Sequence, residues 1–354
     1  TLARAYILLL GTGLFSTLIN ILLRQLPVGD LAVSGFYWLK YSQYFLVFIL
    51  TILLVRSRRD IKLVMAAAIL GVVVATAWGY YQIFSGQFGF LEADKPRATM
   101  PFDTGPNVFA SYYIVVLPLI FSLMLSRDMH RWLRVFLFLL LGAAGVVMLY
   151  TGSRAGLIGL GLSLGTVVFL YDWGRKPAKR VTPWLAAIAL GLIGYLVFVS
   201  DNPTYKRLLN FDPDSALINY RIYGIWEPLI QRTVNTNPIL GHGIMLFNRV
   251  RAENYYVRLF SEQGLLGLLL FFVLIAGLAL VALRNQRLKG DSALRGLGRG
   301  FLGALVGLLF ASIWSDKFIV VRIITPFWIL AGLVVASYQL LRSEKEPEPC
   351  VSPS

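Results

Sequence analysis

Residues 201–267 read DNPTYKRLLNFDPDSALINYRIYGIWEPLIQRTVNTNPILGHGIMLFNRVRAENYYVRLFSEQGLLG and form the only long polar interval in a chain that otherwise alternates apolar spans with short loops. No other part of the sequence concentrates ionisable groups so densely. They include Arg221, Glu227, His242, Arg249, Arg251, Glu253, Arg258 and Glu262. If the protein carries out chemistry, we expect most of the reacting groups to lie in this interval.

The composition assigns the class of protein. Hydrophobic residues make up 57% of the chain, charged residues only 14%, and the mean hydropathy is +0.69. A soluble domain has about a quarter charged residues, because its surface must stay hydrated. We therefore predict an integral membrane protein.

Apolar stretches close to the length of about 20 residues that crosses a bilayer as a helix occur ten times. The predicted spans are 5–23, 36–55, 63–84, 107–125, 135–150, 155–171, 184–200, 263–283, 300–314 and 324–341. Segments this long without period-two alternation exclude a membrane β-barrel. The pattern predicts an all-α polytopic fold with about ten transmembrane helices in a single membrane domain, 1–354.

Basic residues separate the connecting loops into two sets. The loops 56–62, 126–134, 172–183 and 284–299 carry 4, 3, 4 and 5 Lys/Arg residues, which sum to 16. The positive-inside rule makes that side cytoplasmic, together with both termini. The loop 85–106, the turn TGSR and the main loop 201–262 then face outward. The net charge of +15 thus indicates orientation in the membrane rather than nucleic-acid binding. The Pro- and Glu-rich tail, 342–354, is predicted to be disordered.

Two arginines on the predicted outer face are candidates for anion binding. Arg154 lies in TGSRAG, where small neighbours let a bulky ligand approach; the alternative is an arginine that extends toward the membrane surface from a helix end. Arg221 lies in INYRIYGIWEPLI, which also suits an interfacial helix anchored by aromatic residues. A guanidinium donates two parallel hydrogen bonds to a phosphate, so both residues could bind a diphosphate.

Four further polar residues of the outer loops are site candidates. Glu253 could act as a general base, although with Asn254 it also suits the start of the following helix, as dipole partner and N-cap. His242 in GHG could act as a base, although a solvated turn histidine is the commoner outcome. Asn107 is expected to cap a helix, with a possible substrate contact.

The remaining charged residues of these loops are given structural roles. Arg258 and Glu262 stand four residues apart and are expected to pair with each other. Lys95, Arg97 and Asp103 are expected to be solvated. No P-loop, dinucleotide-binding glycine motif, HExxH or DxD motif is present, so we expect neither a cofactor nor a metal ion. This also argues against a nucleotide-driven transporter and against a metal-dependent, nucleotide-sugar glycosyltransferase.

Four segments occur in one order: FDTGPNVFASYYIVVLPL (102–119), TGSRAGLIGL (151–160), NYRIYGIWEPLIQRTVNTNPILGHGIMLF (219–247) and ENYYVRLFSEQGLLGLLLFF (253–272). Together they resemble the polytopic O-antigen ligase and repeat-unit polymerase family. The resemblance implies a GT-C-like, metal-independent, inverting glycosyltransferase on the periplasmic face of the bacterial inner membrane. It implies an undecaprenyl-diphosphate-linked glycan as donor. A glycan or lipid A core would be the acceptor, and membrane lipids and a chain-length regulator would be further partners.

The resemblance also implies roles for the candidate residues. Arg154 and Arg221 would bind the diphosphate, and Asn107 and Asn254 would contact substrate. Ligases of the family carry His where this chain has Glu253, which favours the polymerase branch with Glu253 as the base and leaves His242 as the alternative base.

Two alternatives stay open: a ligase that transfers glycan to lipid A core or protein, and a transporter or flippase of polysaccharide or lipid-linked sugar. A flippase would place charges deep within several spans, where Lys40 is nearly the only one.

Overall fold

The computed structural model describes residues 2–24, 28–88, 90–92, 95–101, 105–126, 129–172, 219–244, 252–287 and 292–343. The helices are α1 Leu2–Arg24, α2 Val28–Leu54, α3 Arg58–Ser85, α4 Pro106–Met124, α5 Arg131–Tyr150, α6 Arg154–Asp172, α7 Glu227–Thr236, α8 Tyr255–Arg287, α9 Ser292–Ala311 and α10 Val321–Ser343. A π-helix, Tyr220–Trp226, precedes α7, and a 3₁₀ turn, Lys317–Ile319, precedes α10. Two antiparallel strands, β1 Phe90–Glu92 and β2 Lys95–Arg97, form a hairpin between α3 and α4.

Within the described ranges, nine helices are long and apolar enough to cross a membrane. This confirms the predicted all-α polytopic membrane fold. The predicted span 184–200 lies outside the described residues, as do Arg249, Arg251, Asp103 and most of the tail, so the count of ten spans stays a prediction.

The start of α8 differs from the prediction. The sequence predicts a span from residue 263, whereas the helix already begins at Tyr255 and includes Arg258 and Glu262. These two side chains form an ion pair of 2.9 Å, which confirms their predicted i, i+4 pairing. Because the pair is satisfied within the helix, its charges do not end the helix at the membrane boundary.

The connections before α4, after α5, before α8 and before α10 meet at one end of the bundle, which we call the polar end. The backbone N–H of Ala98 donates to the carbonyl of Tyr150 (2.9 Å), and that of Tyr255 donates to Ser312 (2.9 Å). At the opposite end, the Ser126 hydroxyl donates to the Ser292 carbonyl (3.2 Å). The predicted outer loops 85–106 and 151–154 therefore lie together.

Helices α4, α6 and α9 form the most closely packed part of the core, and glycines of α9 make that approach possible. A β-carbon on Gly303 would lie 2.6 Å from the Ser163 carbonyl oxygen, and one on Gly307 would overlap Ser163 and Gly159. Small residues at such interfaces let membrane helices pack backbone to backbone.

We expect Gly307→Ala to lower the thermal stability of the detergent-solubilised protein, by about 1–3 kcal/mol, because the added methyl group overpacks the α6–α9 contact. Gly161→Ala is the matched control, since a β-carbon there meets nothing within 4 Å. The control should unfold at the parent temperature or slightly above it, because alanine favours a helix. Equal unfolding temperatures for the two variants would contradict the packing role of Gly307.

Candidate functional site

The predicted anion-binding arginine and the predicted base contact each other directly at the polar end. Nη2 of Arg221 lies 2.5 Å from Oε2 of Glu253, and the two side chains are 32% and 41% exposed. Arg221 is presented by the π-helix. Such wide turns are rare and often mark functional sites. The ion pair thus sits on an irregular element and remains open to solvent.

Glu253 occupies a strained turn that is fixed on both sides. Its φ of 50° is the only positive value of a non-glycine residue in the described part of the chain. Before it, Ala252 is fully buried and its carbonyl accepts a hydrogen bond from Nε1 of Trp226 (2.8 Å). After it, Oδ1 of Asn254 accepts hydrogen bonds from the N–H groups of Tyr256 (2.9 Å) and Val257 (3.2 Å).

These contacts confirm Asn254 as the N-cap of α8. A left-handed conformation at a non-glycine residue costs about 1 kcal/mol or more and persists only where its surroundings impose it. The buried neighbours of Glu253 impose it here, and they turn the carboxylate away from the helix core toward Arg221.

Two charged residues, the partly buried Asp316 and the buried Lys317, lie in the link between α9 and α10. Oδ2 of Asp316 accepts a hydrogen bond from Nη1 of Arg258 (3.1 Å), while burial raises the pKa of this carboxyl against the opposing effect of Arg258. Lys317 is 4% exposed, and its Nζ donates to the Asn107 carbonyl (3.1 Å).

The charges of Arg221 and Glu253 act on the pKa of Lys317. Burial lowers the pKa of Lys317 to about 8, with Asp316 raising it, Arg221 lowering it and Glu253 raising it. Lys317 therefore loses its proton at a lower pH than an exposed lysine does, within the electrostatic field of the Arg221–Glu253 pair.

Arg97 links the first outer loop to the TGSR turn. It was expected to be solvated, but it is 4% exposed. Its Nε donates to the Thr151 carbonyl (2.8 Å) and its Nη2 donates to Oδ1 of Asn107 (3.3 Å). The expectation was wrong because a main-chain carbonyl at the end of α5 takes the place of water.

Asn107 does not cap α4, contrary to the prediction. The N-cap is Gly105, and Pro106 occupies the first helical position, where its missing N–H costs nothing. Asn107 is exposed and instead accepts two hydrogen bonds, one from Arg97 on its side-chain Oδ1 and one from Lys317 on its backbone carbonyl. It therefore connects the α3–α4 loop to the α9–α10 link.

Arg154 is the first residue of α6 and is half-buried. The turn before it is rigid: Gly152 has a φ of 60°, and the Ser153 hydroxyl accepts a hydrogen bond from the N–H of Gly156 (3.2 Å). Thr151 of the same turn is the residue that Arg97 contacts. The connection from this turn to the Arg221–Glu253 pair thus runs through Arg97, Asn107 and Lys317.

Helix α8 is broken at Gly264, where φ is 64° and ψ is −164°. The loop 237–244 fits against this break, with the N–H of Leu265 donating to the Pro238 carbonyl (2.8 Å) and that of Leu266 to Ile239 (3.2 Å). A β-carbon on Gly264 would overlap the Ile239 carbonyl. The glycines of the motifs NPILGHG and EQGLLG therefore allow two backbones to touch.

Polar side chains of α1 complete this junction. Nδ2 of Asn20 donates to the Gly241 carbonyl (3.0 Å), and the Ser16 hydroxyl donates to the Glu262 carbonyl (3.1 Å). Oγ1 of Thr17 accepts from the N–H of Ile244 (3.0 Å). Sequence reasoning missed these three residues, which stand at i, i+1 and i+4 in an otherwise apolar span and could have marked its buried face.

His242 lies inside the same junction. Its two glycine neighbours had suggested a solvated turn residue, and that expectation was wrong. His242 is 1% exposed, its backbone N–H donates to the Ser261 carbonyl (2.9 Å), and its ring Nε2 lies 3.1 Å from the Thr236 hydroxyl. Its neighbours Gly241 and Gly243 have φ values of 68° and 91°, so they shape the backbone around the break. This burial favours a structural role for His242.

Sequence reasoning also missed Asp316 and Lys317, which belong to the short link SDKFIVVRI. The signal available was a charged dipeptide between two apolar spans on the side with few basic residues.

No protein-family model matches the chain, and no curated protein is similar to it at a significant level.

We expect Lys317→Met to gain stability at neutral pH relative to the parent, and to lose that gain as the pH rises. A folded-state pKa of about 8, against an ordinary value of 10.5, penalises the protonated amine in the fold. The penalty is complete below pH 8 and disappears as the pH passes 10.5, a change of about 3 kcal/mol.

Thermal unfolding of both proteins at pH 7, 9 and 10.5 measures this difference, and Lys62→Met at an exposed position of α3 is the control. Groups common to both proteins cancel in the comparison. A stability difference that stays constant over this range would contradict the buried position of Lys317.

We expect Gly264→Ala to destabilise the protein by more than 2 kcal/mol, about the sum of left-handed strain and backbone overlap with Ile239. Gly142→Ala in α5 is the control, since a β-carbon there meets nothing within 4 Å. Size-exclusion chromatography after a heating series separates the two variants. Equal recovery of folded protein would mean that the break in α8 is dispensable.

Proposed function

We propose that this protein is a membrane glycosyltransferase that polymerises undecaprenyl-diphosphate-linked oligosaccharide repeat units into a surface polysaccharide on the periplasmic face of the inner membrane. The observation that carries the proposal is the solvent-accessible ion pair between Arg221 and Glu253. The pair supports the proposal because a carboxylate can accept a proton and a guanidinium can bind a diphosphate, the two functions that glycosyl transfer from a lipid diphosphate requires.

Glu253 is the general base of the proposed reaction. The hydroxyl at the non-reducing end of the acceptor glycan gives its proton to the carboxylate, and its oxygen forms a bond to the anomeric carbon of the donor. The bond from that carbon to the diphosphate oxygen breaks, and its electron pair leaves with the lipid diphosphate. This single displacement inverts the anomeric configuration.

Arg221 changes partner in this proposal. In the unliganded site its guanidinium neutralises Glu253. When a donor binds, the diphosphate, which carries more negative charge, takes the guanidinium, and the carboxylate becomes available to the acceptor hydroxyl. Binding of the donor would thereby activate the base.

Arg154 is the second proposed diphosphate ligand. Its turn is tied through Arg97 and Asn107 to Lys317, which lies in the electrostatic field of the Arg221–Glu253 pair. The rigid turn supports this role because it fixes the backbone position from which the Arg154 guanidinium extends. Asn107 and Asn254 are retained as proposed substrate contacts.

A transporter of lipid-linked sugar is the alternative of another class. Lys40 does not stand nearly alone within the spans, because Arg258 and Glu262 lie in the first two turns of α8. Arg258 is paired with Glu262 and with Asp316. Charges that satisfy one another in this way support the enzyme over a path for an anionic substrate.

We expect Glu253→Gln to reduce polymer synthesis by about 10²–10⁴-fold, because the amide cannot accept the proton. Arg221→Ala and Arg154→Ala should each reduce it by about 10²–10³-fold through lost stabilisation of the leaving group. The measurement is the chain-length distribution of surface glycan in cells that depend on this protein. Arg232→Ala, at an exposed arginine of α7, is the matched control and should leave the distribution unchanged.

The charge swap Arg221→Glu with Glu253→Arg separates a structural ion pair from a catalytic one. The swap should recover the thermal stability lost in either single variant without restoring polymer synthesis. Restored synthesis would contradict the assigned roles.

The glycan made by the single variants separates the candidate functions. Loss of long chains with one repeat unit still attached indicates a polymerase, loss of all attachment indicates a ligase, and accumulation of unflipped donor indicates a transporter.

A further inference from the structure

A second open site lies beside α3, away from the Arg221–Glu253 pair. It is a groove of about 420 Å³, within the usual size range of small-ligand sites. We call it the α3 groove. Its principal lining residues are Trp78, Tyr81, Gln82, Gln87, Phe88 and Thr99.

The α3 groove combines aromatic faces with neutral hydrogen-bonding groups. The rings of Trp78 and Tyr81 lie 5.5 Å apart at an interplanar angle of 32°, so that two aromatic rings stand next to each other in the groove wall. Tyr81, which is 51% exposed, donates its hydroxyl to Oε1 of Gln87 (3.0 Å) and so fixes an exposed amide beside the rings. No charged side chain lines the groove among the described residues.

The polar atoms of the groove wall are held in place. Nε1 of Trp78 donates to the Thr99 carbonyl (3.1 Å), and Oε1 of Gln82 accepts from the Thr99 N–H (3.0 Å). Nε2 of Gln82 donates to the Thr99 hydroxyl (3.2 Å). The indole plane is therefore oriented by the α3–α4 loop before any ligand binds.

The groove lies near the C-terminal end of α3, a helix that is longer than the hydrocarbon core is thick. Helix α3 has 28 residues and is about 42 Å long, whereas the hydrocarbon core is about 30 Å thick. The excess of about 12 Å allows the end of α3 near Trp78 and Tyr81 to reach the headgroup region. Aromatic residues are common at this depth, but the exposed amide of Gln87 beside them is a binding group for a polar ligand rather than for an acyl chain.

The groove is joined by packing contacts to the turn that carries Arg154. The ring of Phe88 stacks on that of Tyr150 at 6.5 Å and 10°, and Tyr150 ends α5 just before the turn to Arg154. The loop that supplies Thr99 also supplies Arg97, which binds the Thr151 carbonyl. A chain bound in the groove would thus leave it beside the turn that carries Arg154.

We propose that the α3 groove binds neutral sugar residues of the glycan chain, with pyranose rings stacked on Trp78 and Tyr81 and their hydroxyls bonded to Gln87. The proposal rests on the function proposed above and names a subsite for its polymeric substrate. Sugar rings match this lining because one face presents C–H groups to an aromatic surface while the rim presents hydroxyls to amides.

The test uses the protein in nanodiscs and, as probe, water-soluble polysaccharide released by mild acid from the cells that make it. Saturation-transfer NMR reports contact, and we expect Tyr81→Ala and Trp78→Ala each to weaken binding about tenfold. Phe84→Ala is the matched control, because Phe84 is an 83% exposed aromatic residue of the same helix that does not line the groove. If Trp78→Ala misfolds, Tyr81→Ala still tests the proposal, because Tyr81 is exposed.

The outcomes distinguish this proposal from the function on which it rests. If Glu253→Gln abolishes polymer while the Tyr81 and Phe84 variants bind the probe equally, the groove proposal fails and the function stands. If the Tyr81 variant loses the probe while Glu253→Gln still makes polymer, the groove stands and the catalytic proposal fails. The parent protein's failure to bind the probe would overturn the groove proposal outright.

A lipid occupant is tested separately with nanodiscs of brominated phosphatidylcholine. The part of the fluorescence that Trp78→Phe removes should be quenched weakly by the lipid and protected further by the probe. Strong quenching that the probe does not reverse would mean that an acyl chain fills the groove, and would overturn the proposal.

Discussion

Backbone hydrogen bonding at the break in α8 is the constraint on which the rest of the polar end depends. Within a bilayer, a helix can open only where other groups satisfy its freed N–H and C=O groups. Here the carbonyls of Pro238 and Ile239 accept from the segment after Gly264, and Ser16 of α1 donates to the carbonyl of Glu262. Each of these contacts requires another helix or loop, so the break exists only in the assembled bundle.

This junction fixes the geometry of the candidate active site. The loop 237–244 follows α7 and the π-helix that carries Arg221, whereas α8 begins directly after Glu253 and Asn254. Docking the loop into α8 therefore joins both halves of the ion pair to one anchored unit. Arg221 and Glu253 are 32 positions apart in the sequence, yet they face each other because the chain between them returns to the same helix.

Burial of charge distinguishes the observed site from the expected one. Arg97 was expected to be solvated and His242 to be either a solvated turn residue or a base, yet both are buried; Lys317 was not selected at all. A local pattern reports whether a residue is polar and which helix it follows. It does not report whether a distant carbonyl, such as those of Thr151 and Asn107, will replace the water that the charge loses.

The sequence by itself determined the membrane class, the all-α architecture, the apolar spans within the described residues, the pairing of Arg258 with Glu262 and the N-cap at Asn254. All of these follow from composition or from contacts within about one helical turn. Only the tertiary structure decided the ion pair of Arg221 with Glu253, the docking of the loop 237–244 at the break in α8 and the hydrogen bond by which Lys317 connects the α9–α10 link to Asn107. These depend on contacts between segments far apart in the chain, whose approach is set by packing and backbone satisfaction across the whole bundle.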